Sequence, residues 1–374
     1  MKVWVVGRNY PLPDNNMQGS FELEQAKMLA KHGYEVCYLA CSLHPTKVIG
    51  DRGYCLWEED NVQILTYSSF FLPRVLPLYM NSIRSKFWLR LFHKAEENFG
   101  TPNVIHVHYP AMLMLADALR LYHDKGVRIV ATEHWTKVLK GKLDKVELKQ
   151  YKLFSRICDV LICVSYPLAQ RVKQLIECEP VVVPNVVNAV FAPSIDKFDS
   201  YTFVCAGRLT RVKQVDIVIR QFAHCFREQS NVRLMIIGGG PEENSLSALI
   251  DELDIRSQID MVGSMTREKT AELVSRAHCL VCFSNLETFG VPIIEAWACG
   301  IPAVVSKAAP VVNSFDKRLG IEVSPDCPEE LGTAMQHMYQ NQERFDAQFL
   351  VDFAQKNYSE ETIIRVLRVL YESE

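Results

Sequence analysis

The chain has 374 residues, too many for one core of about 150 residues, so two domains are expected. Hydrophobic residues make up 48% and charged residues 23%, as in an ordinary soluble globular protein. The stretch MKVWVVG at the start lacks the apolar length of a signal peptide, and no apolar run nears the roughly 18 residues of a membrane span, so a spanning or secreted class is not expected. The net charge of −3 is uneven: residues 1–190 carry 23 Lys and Arg against 18 Asp and Glu, whereas residues 191–374 carry 18 against 26. A basic first half is drawn to anionic surfaces and an acidic second half is not.

Twelve cysteines are scattered, several inside apolar runs (Cys37, Cys163, Cys205, Cys282). That pattern fits reduced thiols in a cytoplasmic protein rather than a disulfide framework. The pair Cys279 and Cys282 encloses only Leu and Val, so core packing is expected there, not a metal or redox site.

Taken in order, Lys2–Val6 reads as a buried strand ending at Gly7. A loop rich in Pro and Asn runs to Gly19, a helix over Phe21–Lys31 closes at Gly33, and Tyr34–Ala40 is the next strand. Gly19 at the helix entrance suits close approach of a phosphate or sugar, although an ordinary loop glycine reads the same way. The spacing is not G-x-G-x-x-G, so the dinucleotide fingerprint is absent. Phe70–Lys94 holds five Lys and Arg, no acidic residue and many large apolar side chains. From Ile83 onward it reads either as a basic amphipathic helix for an anionic bilayer surface or as a core helix with a solvated basic edge.

Strands follow at Asn103–Val107, Val127–Thr132, Asp159–Val164 and Val181–Val183. His106 and His108 are read as alternating between faces, which argues against a joint metal site. Glu133-His134-Trp135 forms a polar cluster at a strand's carboxyl end, where ligands bind in open α/β sheets; His134 alone could equally be structural. Phe191–Ser200 reads as the interdomain linker. The alternation then restarts, with strands at Tyr201–Ala206, Val232–Ile237, Gln258–Val262 and Leu280–Phe283 and helices between them, which implies a parallel, doubly wound sheet. From Pro328 onward the period is helical throughout, and the last helix, Ser359–Tyr371, is long enough to reach back to the first domain.

Ser284–Val305 carries the most chemistry. Glu287 and Glu295 lie eight positions apart around a Phe-Gly turn and Pro292, and Gly300 suits a helix C-terminus. Glu287 falls in a loop and Glu295 on the following short helix, and the amides from Thr288 to Val291 point toward whatever occupies the strand ends, which favours an anion. Arg208 and Lys213, five apart after a strand, can converge on one phosphate group, or they are simply surface cations. With the glycine run Gly238-Gly239-Gly240, three strand ends favour phosphate, and no D-x-D or His/Asp cluster suggests a divalent metal.

Glu287-x-Phe-Gly-x-x-x-x-Glu295, Gly207-Arg208-Leu209 … Lys213 and Gly238-Gly239-Gly240-Pro241 resemble the retaining glycosyltransferases of family 4. The resemblance implies an α/β GT-B fold, two Rossmann-like doubly wound domains facing each other across a cleft. The expected boundaries are an acceptor domain over 1–192, a nucleotide-sugar domain over 193–356 and a crossing helix over 357–374. It further implies that Arg208 and Lys213 hold the diphosphate of a nucleotide-sugar. Glu295 would bond the ribose hydroxyls, Glu287 would face the donor sugar, and the amides of Phe289, Gly290 and Val291 would bind sugar or phosphate. Gly19 would approach the diphosphate, His134 would contact the sugar, and Gly207, Gly239, Thr288 and Met265 would complete the donor site, with the base read near Gly263–Met265. Departures are the single glycine at position 19, Val186 in the run Val183–Asn188 where glycine is common, and Trp135 where Asp is frequent.

The function so implied is retaining hexosyl transfer from a nucleotide-sugar to a glycan or lipid-linked acceptor, in cell-surface polysaccharide synthesis. It needs neither cofactor nor metal. The expected location is the cytoplasm, peripheral on the inner membrane face through Phe70–Lys94, and no nucleic-acid partner is expected. The alternatives are a nucleotide-sugar epimerase of similar fold and a non-catalytic nucleotide-sugar-binding protein.

Overall fold

A computed structural model describes residues 1–11, 19–44, 53–70, 77–108, 112–311 and 315–373. The chain divides into two units, one made of Met1–Val183 with Ile364–Glu374, the other of Pro184–Ile363.

The first unit is built on an eight-stranded sheet. Its strands are β1 (Lys2–Gly7), β2 (Glu35–His44), β3 (Gly53–Glu59), β4 (Val62–Phe70), β5 (Val104–His108), β6 (Arg128–Glu133), β7 (Val160–Cys163) and β8 (Val181–Val182), in the order β3-β4-β2-β1-β5-β6-β7-β8. All pair in parallel except β3, which forms an antiparallel hairpin with β4. Sequence reading missed this hairpin. Its two-residue turn is Asp60-Asn61, both left-handed at φ 50° and 60°, a hairpin geometry that glycine usually advertises and that this sequence builds without one. The buried sheet face is aromatic: Trp4 sits 5.8 Å from Phe92 and 5.4 Å from Tyr122 between ring centroids.

Phe92 belongs to the helix Pro77–Phe99, which covers most of the basic stretch. Residues 71–76, and the side chains through 84, lie outside the described residues. From Ser85 onward Trp88, Leu91, Phe92 and Ala95 are buried, while Lys86 and Arg90 are exposed. This part of the stretch is a core helix with a solvated basic edge; its apolar face is already covered.

The second unit has a six-stranded, wholly parallel sheet, ordered β11-β10-β9-β12-β13-β14. The strands are β9 (Tyr201–Ala206), β10 (Val232–Ile237), β11 (Ile259–Gly263), β12 (Cys279–Cys282), β13 (Ala303–Ser306) and β14 (Gly320–Val323). Sequence reading did not find the edge strand β14, whose four residues include an exposed Glu322 and show no alternation long enough to register. The helix Val215–Phe226 buries Val215, Val218, Ile219, Phe222, Ala223 and Phe226, the spacing of one helical face. Phe203 of β9 meets Phe222 and Phe226 at 6.4 and 5.4 Å between centroids. Cys279 and Cys282 lie buried in β12, and burial raises both thiol pKa values, Cys282 to about 11, so both stay protonated core groups. Phe191–Ser200 is held to this unit: Phe198 N–H donates to the Arg276 carbonyl (3.0 Å) and Lys197 Nζ to that of Ser275 (2.7 Å).

Of the last helix, Glu360–Glu372, the part from Ile364 onward belongs to the first unit. Arg128 Nε donates to the Leu370 carbonyl at 2.8 Å, and the Tyr371 hydroxyl bonds His106 Nδ1 at 2.6 Å. His106 and His108, two apart on β5, share a face, because side chains on a strand repeat every second residue. Their rings stack at 4.8 Å and 12°, so the expected alternation was mistaken. Among the described residues no three His, Cys, Asp or Glu side chains are placed to hold a metal.

β6 ends in Glu133, fully buried, with one oxygen accepting the Trp135 N–H at 2.8 Å. Burial pushes its pKa up to about 8 from an ordinary 4.5. Between those two values the folded chain holds a proton that the unfolded chain has lost, so this group's contribution to stability falls as pH rises through that window. Glu133→Gln is therefore expected to melt progressively higher than the native chain as pH goes from about 5 to 8. A constant difference in melting temperature across that range would show that Glu133 is not the titrating group.

Candidate active site

The second unit's candidate residues gather on loops at the carboxyl ends of its strands, and backbone contacts lock those loops together. After β9, the Gly207 N–H donates to the Ile237 carbonyl (2.9 Å) and the Leu209 N–H to that of Gly239 (3.0 Å). The Gly238 N–H in turn reaches the Gly263 carbonyl after β11 (2.8 Å). A Cβ on Gly238 would lie 2.0 Å from the Gly207 carbonyl oxygen, and one on Gly240 would lie 2.3 Å from that of Leu209. Gly207 and Gly238 also have φ of 137° and 132°, disfavoured for other residues. The glycine run is required so that two loop backbones can touch. A Cβ on Gly239 would lie 2.6 Å from the side-chain Oγ of Ser264, and Met265 follows half-buried on the same loop.

The β12 loop is tied in from the other side. The Asn285 N–H donates to the Val212 carbonyl (2.9 Å) and the Glu287 N–H to that of Ala308 (3.1 Å). Lys213 Nζ pairs with Glu287 Oε1, and Ser284 Oγ donates to the same oxygen at 2.7 Å. Lys213 is 24% and Glu287 12% exposed. Burial by itself lowers the lysine pKa, but the Glu287 charge outweighs it and holds the ammonium above the ordinary lysine value. Arg208 is exposed and, among the described residues, makes no ion pair or side-chain hydrogen bond. A pocket is lined by Gly207, Arg208, Lys213, Cys282, Ser284 and Pro292.

Beyond it begins the helix Val291–Ala298, with Pro292 in its first turn and Gly290 before it at φ 111°. No described residue accepts a hydrogen bond from the amides of Thr288, Phe289, Gly290 or Val291. These N–H groups and the helix dipole favour an anion or a hydroxyl oxygen. The Phe289 side chain is 3% exposed and packs edge-on against Tyr358, so only its backbone can serve a ligand. Glu295, 6% exposed, pairs with Arg267 Nη1 at 2.8 Å. Sequence reading missed Ser284 and Arg267. The serine lies directly after an apolar strand, which is a usable signal, but nothing in the spacing marks the arginine.

Gly19 and His134 belong to the first unit. Gly19 begins the helix Ser20–Lys31 at φ 85°, and a Cβ there would lie 1.9 Å from the Asn9 carbonyl oxygen, so glycine is needed both for conformation and for space. His134 follows β6, its Nε2 buried without a hydrogen-bond partner among the described residues. Burial lowers its pKa to about 4, leaving a neutral ring at pH 7.

Two family models match the chain: Glycosyl transferases group 1 over residues 191–349 and Glycosyltransferase Family 4 over residues 20–191. A phosphatidylinositol N-acetylglucosaminyltransferase subunit of Arabidopsis thaliana is 22% identical over 277 residues, 72% of this chain and 61% of that protein. The chain spans about half the length of the matching human and Schizosaccharomyces pombe subunits, 47% of each. Among solved structures, sucrose-phosphate synthase from Thermosynechococcus elongatus superposes with a TM-score of 0.78 at 18% identity, over 99% of this chain and 98% of that one. Anabaena HepE in complex with UDP superposes at 0.75 and 16% identity over the whole of both chains. With its two parallel-sheet α/β units, the chain belongs to the family 4, group 1 glycosyltransferases and has the GT-B fold.

Proposed function

We propose that the chain transfers a hexosyl group from a nucleotide-sugar to a glycan or lipid-linked acceptor with retention of anomeric configuration, in polysaccharide synthesis on the inner membrane face. The observation that carries this reading is one rim of the second unit that combines Arg208, the Lys213–Glu287 pair and four unused amides at residues 288–291. A diphosphate is the ligand class that uses all three. HepE, of the same fold, binds UDP, which supports a nucleotide donor here.

In the reaction, the acceptor oxygen bonds to the donor sugar's C1 on the face from which the phosphate departs. The bond from C1 to the phosphate oxygen breaks, and the acceptor proton passes to that phosphate oxygen. Charge builds on the leaving diphosphate, where Arg208 offers a planar fork and Lys213 a point charge, and these fixed cations serve without a metal. Glu287 holds the Lys213 ammonium in place and faces the sugar, the 288–291 amides receive sugar or phosphate oxygens, and Glu295 receives the ribose hydroxyls, its second partner Arg267 fixing the carboxylate. His134, neutral, bonds a sugar hydroxyl. Gly207 and Gly239 let backbone approach the diphosphate, and Met265 lies beside the base.

Arg208→Ala and Lys213→Ala should each cut turnover about 100-fold or more through lost charge stabilisation. Lys213→Ala should be the worse of the two, because it leaves the Glu287 carboxylate unpaired beside the phosphate, and adding Glu287→Gln should then restore part of the nucleoside-diphosphate binding. Near-normal turnover in both single variants would sink the assignment. Thermal shifts with UDP, GDP and ADP and their sugars, without metal, identify the donor class by linkage.

Peripheral attachment, if electrostatic, acts through the exposed Lys86 and Arg90 edge of the helix Pro77–Phe99. The chain should then sediment with anionic vesicles at low salt and release at high salt. Equal recovery with neutral vesicles would exclude a charge-driven contact.

A further inference from the structure

The second unit carries a basic cleft away from the strand ends that hold the candidate active site. It lies along the outer face of the helix Val215–Phe226, whose other face is buried in the unit's core. Arg220, His224 and Arg227 stand one above another at i, i+4 and i+7 and line a cavity of about 410 Å³. Ala223 and Leu253 supply its apolar wall, and Glu228 is the acid on its lining. The helix starts just after Lys213 and rises 1.5 Å per residue, so Arg227 sits about 20 Å along the axis from that lysine. Arg227 shortly precedes β10, and Leu253 shortly precedes β11. All strands of this parallel sheet begin at one edge, so the cleft lies at the edge opposite the candidate active site.

Two observations set this cleft apart from an ordinary solvated helix face. Residues 191–374 are acidic overall, with 26 Asp and Glu against 18 Lys and Arg, and arginines there find carboxylates: Arg233 pairs with Asp260, Arg256 with Asp251, Arg276 with Asp196 and Arg318 with Asp316. Arg220 does not. It is exposed, and among the described residues neither it nor His224 makes an ion pair or a side-chain hydrogen bond. Secondly, Arg227 is held in place. Its Nη2 donates to the Leu253 carbonyl at 2.8 Å, at the carboxyl end of the helix Glu243–Glu252, where the helix dipole favours a cation. One guanidinium is thus fixed and the other uncommitted, beside the same cavity. The donors define the ligand. A carboxylate lies in one plane and is matched by one guanidinium fork, whereas a phosphate offers oxygens on several sides of one centre. Three donor groups spread over two helical turns, with two guanidinium charges against the one carboxylate of Glu228, suit the phosphate. A cavity of this size with an apolar wall has room for more than a bare ion.

We propose that Arg220, His224 and Arg227 form a binding site for the phosphate group of a phosphomonoester, whose body lies against Ala223 and Leu253. The two guanidinium groups donate to the phosphate oxygens, and the His224 ring N–H adds a third donor. The phosphate comes from a soluble phosphorylated small molecule or from a lipid head group, which present the same oxygens. The site stands on the second unit alone and is independent of the transferase reading.

The test is isothermal titration calorimetry on the full chain with phenyl phosphate as the probe and benzoate as the carboxylate control. Phenyl phosphate should bind, and binding should survive Arg208→Ala, which removes the exposed cation of the candidate active site. Arg220→Gln should weaken it about tenfold or more, the worth of a hydrogen bond between charged groups. Arg220→Lys keeps the charge without the fork and should fall between the two. Arg220 is exposed and has no partner among the described residues, so both variants should melt as the native chain does. Absence of binding, equal binding by the native chain and Arg220→Gln, loss of binding in Arg208→Ala, or benzoate binding as tightly as phenyl phosphate overturns the proposal. Flotation with phosphatidylcholine vesicles containing phosphatidic acid separates the two sources. Recovery that falls with Arg220→Gln places the phosphate on a lipid. Recovery indifferent to Arg220, with phenyl phosphate binding still lost in Arg220→Gln, makes the ligand a soluble phosphomonoester.

Discussion

The second unit depends on direct contact between loop backbones at the ends of β9 and β10. With glycine at 207, 238 and 240, carbonyl oxygens sit where Cβ atoms would otherwise be, and amide-to-carbonyl bonds at 2.8–3.0 Å join the loops after β9, β10 and β11. Main chain is the stiffest material available for building a site, since its groups need no rotamer to be fixed when a ligand arrives. Arg208 lies within this joined segment, and Lys213 lies at the end of a short turn that the β12 loop contacts at Val212. Arg208 is thus placed by the glycine packing beside it, and Lys213 by the Val212–Asn285 contact.

The Lys213–Glu287 pair is a second constraint, of a different kind. Two partly buried charges gain from one another but lose hydration, and such pairs contribute little net stability. Their value here is positional. With Ser284 on the same carboxylate oxygen, Glu287 fixes the lysine, so the rim presents an exposed Arg208, a lysine held in place and a row of N–H dipoles.

The sequence made the α/β alternation and the second unit's strands legible because parallel strands buried on both faces read as continuous apolar runs, as in Tyr201–Ala206 and Val232–Ile237. The β3–β4 hairpin escaped because its turn uses Asp60-Asn61, and β14 escaped because it is short and at an edge. Among the site residues, glycines, cations and the two glutamates were legible from spacing and resemblance. Arg267 was not. It acts through a partner distant in sequence, Glu295, and the pairing has no local period to betray it. The basic stretch left two readings open, a bilayer-facing helix and a core helix with a basic edge, and that Trp88, Leu91 and Phe92 cover core is something composition alone cannot reveal.

The charge asymmetry looks at odds with these sites, since the cationic rim lies in the acidic half, where residues 191–374 carry 26 acidic against 18 basic side chains. Distance resolves it. Charges more than about 8–10 Å from a ligand are screened by physiological salt, so net charge governs approach and not the bound state. Close in, the groups are Arg208, the Lys213–Glu287 pair and four amides, of which the arginine and the amides favour an anion. The first unit inverts the pattern. Its half is basic overall, yet Arg8 is paired with the buried Glu22, and burial keeps the His108 and His134 rings neutral.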